Sequence, residues 1–142
     1  MLKNVLLVDD DPMALLMTKE IIKNECFSTE VTIAMNGLLA LQELENFFDT
    51  DTKQEQMQAP TLIFLDLNMP LMDGWEFLEH YTRCFSAKLP DTNIILLSGS
   101  IDEIDVEKVR KYPVVTKILR KPMLNNNLNY LKKNYLLQQY FA

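Results

Sequence analysis

Apolar residues gather in five short runs, and after each run they recur every three or four positions. The runs lie at about residues 3–8, 30–34, 61–65, 93–97 and 115–119. Runs of this length, bounded by turn-forming residues, read as buried strands. Helical periodicity begins near Pro12, Gly37 and Gly74, and two further helices are predicted at about 102–112 and 125–139. Asp11 is placed to cap the first helix, with Pro12 at its first position. The predicted core faces are Ala14, Met17, Thr18 and Ile21 in the first helix and Leu38, Leu41, Leu44 and Phe48 in the second. In the third they are Trp75, Leu78 and Tyr81. Strand–helix alternation of this kind implies an α/β fold: a parallel sheet with right-handed crossovers and helices on both faces.

Only residues 49–59 break the rhythm. They are polar, without a periodic apolar face, and read as an extended surface loop. No repeat, linker or second domain is visible, so residues 1–142 are expected to form a single domain with no output domain attached. At 48% hydrophobic residues the chain has enough apolar surface for one sizeable core. A net charge of −6 argues against a general nucleic-acid surface or adsorption to anionic lipid. No apolar run reaches membrane-spanning length and no signal peptide is apparent, which points to a cytoplasmic protein. Cys26 and Cys84 form no disulfide or metal pattern and read as reduced, half-buried small hydrophobes. The eight methionines are expected to fill the core. His80, the only histidine, falls mid-helix, away from the strand ends.

Four of the runs end in residues that carry chemistry. Val8 is followed by Asp9, Asp10 and Asp11; Leu65 by Asp66; Leu97 by Ser98; and Leu119 by Arg120, Lys121 and Pro122. In open α/β sheets, the carboxyl ends of neighbouring strands share the crevice where ligands bind. Two carboxylates ~4 Å apart repel by about 4 kcal/mol at an effective dielectric of 20. A proton on one of them or a bound cation relieves this, and hard oxygen donors with room for water and phosphate suit Mg²⁺. Each piece alone has a plainer reading. Asp9–Asp11 alone caps a helix, Asn68–Gly74 alone is a turn, and Lys121 alone is a surface lysine.

In combination these residues resemble the receiver domain of two-component response regulators. The resemblance covers about residues 3–135. It rests on Val8-Asp9-Asp10, on Asp66 with Asn68-Met69-Pro70 and Met72-Asp73-Gly74 behind it, on Ser98, and on Lys121-Pro122. It implies a flavodoxin-like (βα)5 fold, a doubly wound five-stranded parallel sheet in the order 2-1-3-4-5. It also implies that Asp66 accepts a phosphoryl group from a sensor histidine kinase or a histidine phosphotransfer protein. Mg²⁺ would be held by Asp10 and Asp66, by Asp9 mainly through water, and by the Asn68 backbone carbonyl. Lys121 would pair with the phosphoryl oxygens and Ser98 would hydrogen-bond to one. The output would pass to a downstream protein over helix four, strand five and helix five, from a monomer or a phosphorylation-dependent homodimer.

Two features depart from the family pattern. Ile118 stands where an aromatic is usual, so a swinging ring is not expected there. The 49–59 loop is longer than usual. A Mg²⁺-dependent phosphohydrolase is the rival reading. It wants an acid two residues after the nucleophile, and that place holds Asn68. The resemblance therefore implies a phosphorylatable switch, not an enzyme acting on other substrates.

Overall fold

Strands β1 (Leu2–Val8), β3 (Leu62–Asp66) and β4 (Asn93–Ser98) are buried at nearly every position, so both of their faces need cover. The computed structural model describes residues 1–48, 59–99, 104, 106–134 and 137–141. In it these strands pair in parallel with β2 (Ser28–Ala34) and β5 (Val115–Arg120) in the order β2-β1-β3-β4-β5. The order and direction are those the resemblance implies. The outer strands β2 and β5 are only partly buried, as suits sheet edges.

Alternation along the strands sorts the core into two halves. Leu6, Val8, Ile63, Leu65, Ile94 and Leu96 face α2 (Gly37–Asn46) and α3 (Gly74–Cys84). Val5, Leu7, Leu62, Phe64, Ile95 and Leu97 face α1 (Pro12–Asn24) and α5 (Asn125–Lys132). α4 (Val106–Val109) is a single turn on the first side.

Several expectations are corrected. α1 buries Leu15 and Ile22, with Ala14, Thr18 and Ile21 half-buried, while Met17 is 50% exposed. The helix is thus rotated from its predicted face, because residues seven apart lie on one stripe and Leu15 and Ile22 carry more apolar area. α2 buries Gly37, Ala40 and Leu44 and exposes Leu38. The physical reason is proximity: a Cβ at Gly37 would lie 2.8 Å from Met72 Cγ, so this stripe admits only small residues near the helix start. Phe48 is also exposed, stacking on Phe85 with centroids 6.1 Å apart.

The methionine expectation holds only in part. Met123 is buried and half-buried Met69 and Met72 pack on the core, but Met1, Met13, Met17 and Met35 are exposed. Both cysteines are free and exposed. Cys26 lies in the turn leaving α1, with φ of 49°. α4 is shorter than the 102–112 predicted, and part of that span lies outside the described residues. α5 ends at Lys132, and a 3₁₀ turn at Gln138–Tyr140 follows. The chain turns there to bury Leu137 and to set Phe141 5.3 Å from Phe27. Of the predicted 49–59 loop, residues 49–58 lie outside the described residues. Among the described residues no helix is long and apolar enough to cross a membrane.

Candidate functional site

β1 and β3 are direct neighbours, with Val8 opposite Leu65. The residues that follow them, Asp9 and Asp66, therefore emerge side by side. Asp9 and Asp66 are buried and Asp10 is exposed, and one carboxylate oxygen of each lies within 4.8 Å of the others. Local structure holds each in place. The Asp9 amide continues the β1–β2 ladder by donating to the Ala34 carbonyl at 3.1 Å. One Asp9 oxygen accepts the Asp11 amide at 3.0 Å, and Asp11 in turn caps α1 through the Met13 amide at 3.0 Å. The predicted cap at Asp11 and Pro12 is thus present, and the capping of α1 falls to Asp11, not to Asp9 or Asp10.

On the far side, β4 and β5 bring Ser98 and Lys121 to the same edge. The Lys121 amide donates to the Ser98 carbonyl at 2.8 Å, which fixes the strand ends to one another. Ser98 is buried. Lys121 Nζ lies 2.6 Å from Asp9 Oδ2 and 3.3 Å from Asp66 Oδ2. The structure thus brings together Asp9, Asp10, Asp66 and Lys121, with Ser98 at the adjoining strand end. Pairing of Lys121 with Asp9 is a contact that the strand-end pattern does not foretell.

One ammonium pairs with two of the three clustered carboxylates, and the electrostatics reflect it. Burial pushes the Asp66 carboxyl above the usual carboxylate range; Lys121 pulls it down, Asp9 pushes it up, and the Asn68 amide, which hydrogen-bonds it, pulls it down. For Lys121, burial works to lower the ammonium pKa. The Asp9 hydrogen bond and the charges of Asp66 and Asp9 outweigh that, so the net shift is upward. Lys121 is therefore a fixed positive charge at neutral pH. The clustered oxygen donors fit a hard divalent cation such as Mg²⁺, since one lysine leaves part of the negative charge uncompensated.

The turn after β3 is set by Gly74. A Cβ there would lie 2.6 Å from the Asp66 carbonyl oxygen and 2.8 Å from Leu67 Cα. The Gly74 amide also donates to the Leu67 carbonyl at 2.9 Å, so α3 begins against the backbone of the acidic strand end. Asp73 caps α3 by accepting the Glu76 amide at 2.9 Å. Gly74→Ala is expected to destabilise the fold by about 1–3 kcal/mol, because backbone must shift to admit the methyl. A denaturant midpoint equal to that of the wild type would show that the turn yields without strain.

A cleft of about 300 Å³ opens beside Asp9 and Lys121, between α1 and the turn after β5. Met13, Met17, Leu97 and Pro122 are among its lining residues. Met13 and Met17 share this side of α1 because they are four residues apart. Their spacing was legible; their direction was not. At Gly99 an added Cβ would meet no described atom within 4 Å, in keeping with an open space above the strand ends. His80 lies on α3, away from the acidic cluster, as expected.

Comparison with known proteins agrees with this geometry. The family model described as response regulator receiver domain matches residues 5–131. Response regulator Rcp1 of Synechocystis sp. is 31% identical over 104 residues, 73% of this chain and 67% of that protein. The probable C4-dicarboxylate response regulator DctR of Priestia megaterium is 30% identical over 116 residues, 82% of this chain. This chain spans only 44% of that relative's length. A two-component response regulator from Cytophaga hutchinsonii matches in structure with a TM-score of 0.82 at 28% identity, covering 96% of this chain and 98% of that one. A CheY-like receiver domain protein from Methanospirillum hungatei JF-1 matches with a TM-score of 0.71 at 26% identity, covering 99% and 98%.

Proposed function

The chain belongs to the response regulator receiver domain family of two-component signalling, and from that premise we propose that it is a phosphorylatable switch with Asp66 as phosphoacceptor. The observation that carries this reading is the Asp66 carboxylate, 3.3 Å from Lys121 and clustered with Asp9 and Asp10 at the sheet edge. An Asp66 oxygen forms a bond to phosphorus as the P–N bond of a donor phosphohistidine breaks. The electron pair of that bond leaves with the imidazole. Phosphoryl transfer asks for positioning and charge neutralisation more than covalent help. Lys121 supplies a fixed charge to the phosphoryl oxygens, and Ser98 supplies a hydroxyl donor from the end of β4. Asp10, Asp66 and the Asn68 carbonyl would hold Mg²⁺ directly, and Asp9 mainly through water. When bound, the metal would neutralise the incoming phosphoryl oxygens.

In this reading the donor is a sensor histidine kinase or a histidine phosphotransfer protein. It approaches over the apolar cleft beside Asp9 and Lys121. The output is a protein contact over α4, β5 and α5, made by a cytoplasmic monomer or a phosphorylation-dependent homodimer. Residues 1–142 act as one receiver domain, without a substrate other than their own phosphoryl donor. Incubation with acetyl phosphate and Mg²⁺, followed by peptide mapping, tests the reading: the modification is expected at Asp66. Modification elsewhere, or none, refutes it.

The switch is expected to depend on Ser98 more than on residue 118. Ile118 is half-buried on β5, packed at the rim of the core, and lacks a ring or hydroxyl to present. Ser98→Ala removes a donor to the phosphoryl group and should weaken phosphorylation-dependent partner binding about tenfold. Ile118→Val removes one methylene and should leave binding nearly intact. Titrating both variants against a purified target checks the order, and a larger loss for Ile118→Val would make residue 118 the switch.

A further inference from the structure

α4 has four residues, none of them fully buried, and of these only half-buried Val109 packs on the core, so its own packing holds it weakly. Side-chain contacts to α3 tie it and the following turn to the domain. Lys108 Nζ lies 4.5 Å from the centroid of the Trp75 ring, a cation–π distance. The Tyr112 ring is 6.4 Å from that of Trp75. The Tyr112 hydroxyl donates to Glu79 Oε2 at 2.9 Å. Tyr112 is buried, while the Glu79 side chain that accepts its hydroxyl is largely exposed, so the bond forms at the edge of the core. Trp75 and Glu79 are four residues apart on α3 and present one ridge to α4.

That ridge is anchored at the acidic site. Trp75 follows Gly74, and Gly74 packs directly against the Asp66 carbonyl and Leu67. Packed contacts therefore run without a gap from the backbone of Asp66 through the start of α3 to Lys108 and Tyr112. Half-buried Ile118 packs on the same core cluster but offers neither charge nor ring to this ridge.

We propose that Trp75 and Glu79 hold α4 in place through Lys108 and Tyr112, and that this contact carries the state of the acidic site to α4. The holding contact stands on geometry alone. What changes state at the site rests on the phosphoacceptor reading. These four are positioning residues; none of them touches the Asp66 carboxylate.

The test uses the full chain as wild type, Lys108→Met, Tyr112→Phe and the double variant, with and without acetyl phosphate and Mg²⁺. Amide exchange over residues 106–112 and the label at Asp66 are measured on the same samples. Trp75 is the only tryptophan, so its emission reports the ridge directly. Without phosphodonor, the double variant is expected to exchange about tenfold faster than wild type over 106–112, from loss of one hydrogen bond and the cation–π contact. Lys108→Arg should restore protection, since a guanidinium also stacks on indole. Unchanged exchange in the double variant overturns the holding contact. With phosphodonor, all variants are expected to label at Asp66, while the exchange response at 106–112 falls in the double variant. A labelled double variant with the full wild-type response overturns transmission through the ridge. No label in wild type instead overturns the phosphoacceptor reading and transmission with it, and leaves the holding contact to be decided by the measurement without donor.

Discussion

Asp66→Asn is expected to abolish phosphoryl labelling outright. The amide keeps the shape of the side chain and its place at the end of β3, yet its oxygen has lost the negative charge that attacks phosphorus. Asp9 and Asp10 are near, but neither replaces it. Asp9 Oδ2 is engaged by Lys121 at 2.6 Å and its Oδ1 by the Asp11 amide at 3.0 Å. Asp10 is exposed, at the rim of the cluster, and lies outside the buried strand end. The variant should also melt at a higher temperature than wild type when no divalent cation is present. The cluster then holds two carboxylates instead of three around its one lysine, and the carboxylate removed is one whose burial already disfavours its charge. Intact-mass analysis after acetyl phosphate treatment gives the first result and a thermal scan in chelator the second. Stoichiometric labelling of the variant would remove Asp66 as the acceptor.

Lys121→Ala should give the second large effect, in opposite directions for metal binding and stability. Lys121 contacts both buried carboxylates, so its loss leaves them facing one another without a counter-charge. Breaking such a partly buried pair is expected to destabilise the metal-free fold by about 1–3 kcal/mol, short of the figure for a fully buried pair because Lys121 is partly solvated. The same loss removes a positive charge that repels a divalent cation from the cluster. At ~4 Å and an effective dielectric of 20, that repulsion is about 4 kcal/mol per charge pair, and solvent and salt reduce it. Mg²⁺ affinity should therefore rise, by about tenfold, and saturating Mg²⁺ should recover most of the lost stability through linkage. Labelling at Asp66 should persist at high Mg²⁺ while the phosphorylation-linked response weakens, since the ammonium no longer reaches the phosphoryl group. Calorimetric titration of Mg²⁺ into both proteins decides it. Weaker Mg²⁺ binding by the variant would mean that Lys121 organises the carboxylates for the metal more than it repels the cation.

Strand positions and order were legible because they depend on local composition and on a family pattern. Continuous apolar runs need cover on both faces, and runs 3–8, 61–65 and 93–97 became the three inner strands with shifts of at most one residue at their ends. Asp11 and Pro12 announced the start of α1 by chemistry confined to one helical turn. The juxtaposition of Asp9, Asp10 and Asp66 was likewise foreseeable, because residues that follow neighbouring parallel strands must emerge together.

Helix rotation was harder to read. Both Met17 and Leu15 are apolar, and the α1 sequence tolerates either face inward; the space under the sheet chose Leu15 and Ile22 and turned Met13 and Met17 toward the acidic site. In α2 the deciding fact was a close approach between Gly37 and Met72, from segments 35 residues apart, which no periodicity contains.

By itself, the sequence determined where chain direction changes, which segments must be buried and which charged residues crown the sheet, since each follows from local apolar content and strand parity. The tertiary structure alone decided that Lys121 rests on Asp9 as well as Asp66, and that Trp75 and Glu79 meet Lys108 and Tyr112. Those contacts depend on distances and rotations between elements far apart in the chain, and these are set by how whole helices settle on the sheet once every side chain competes for the same volume.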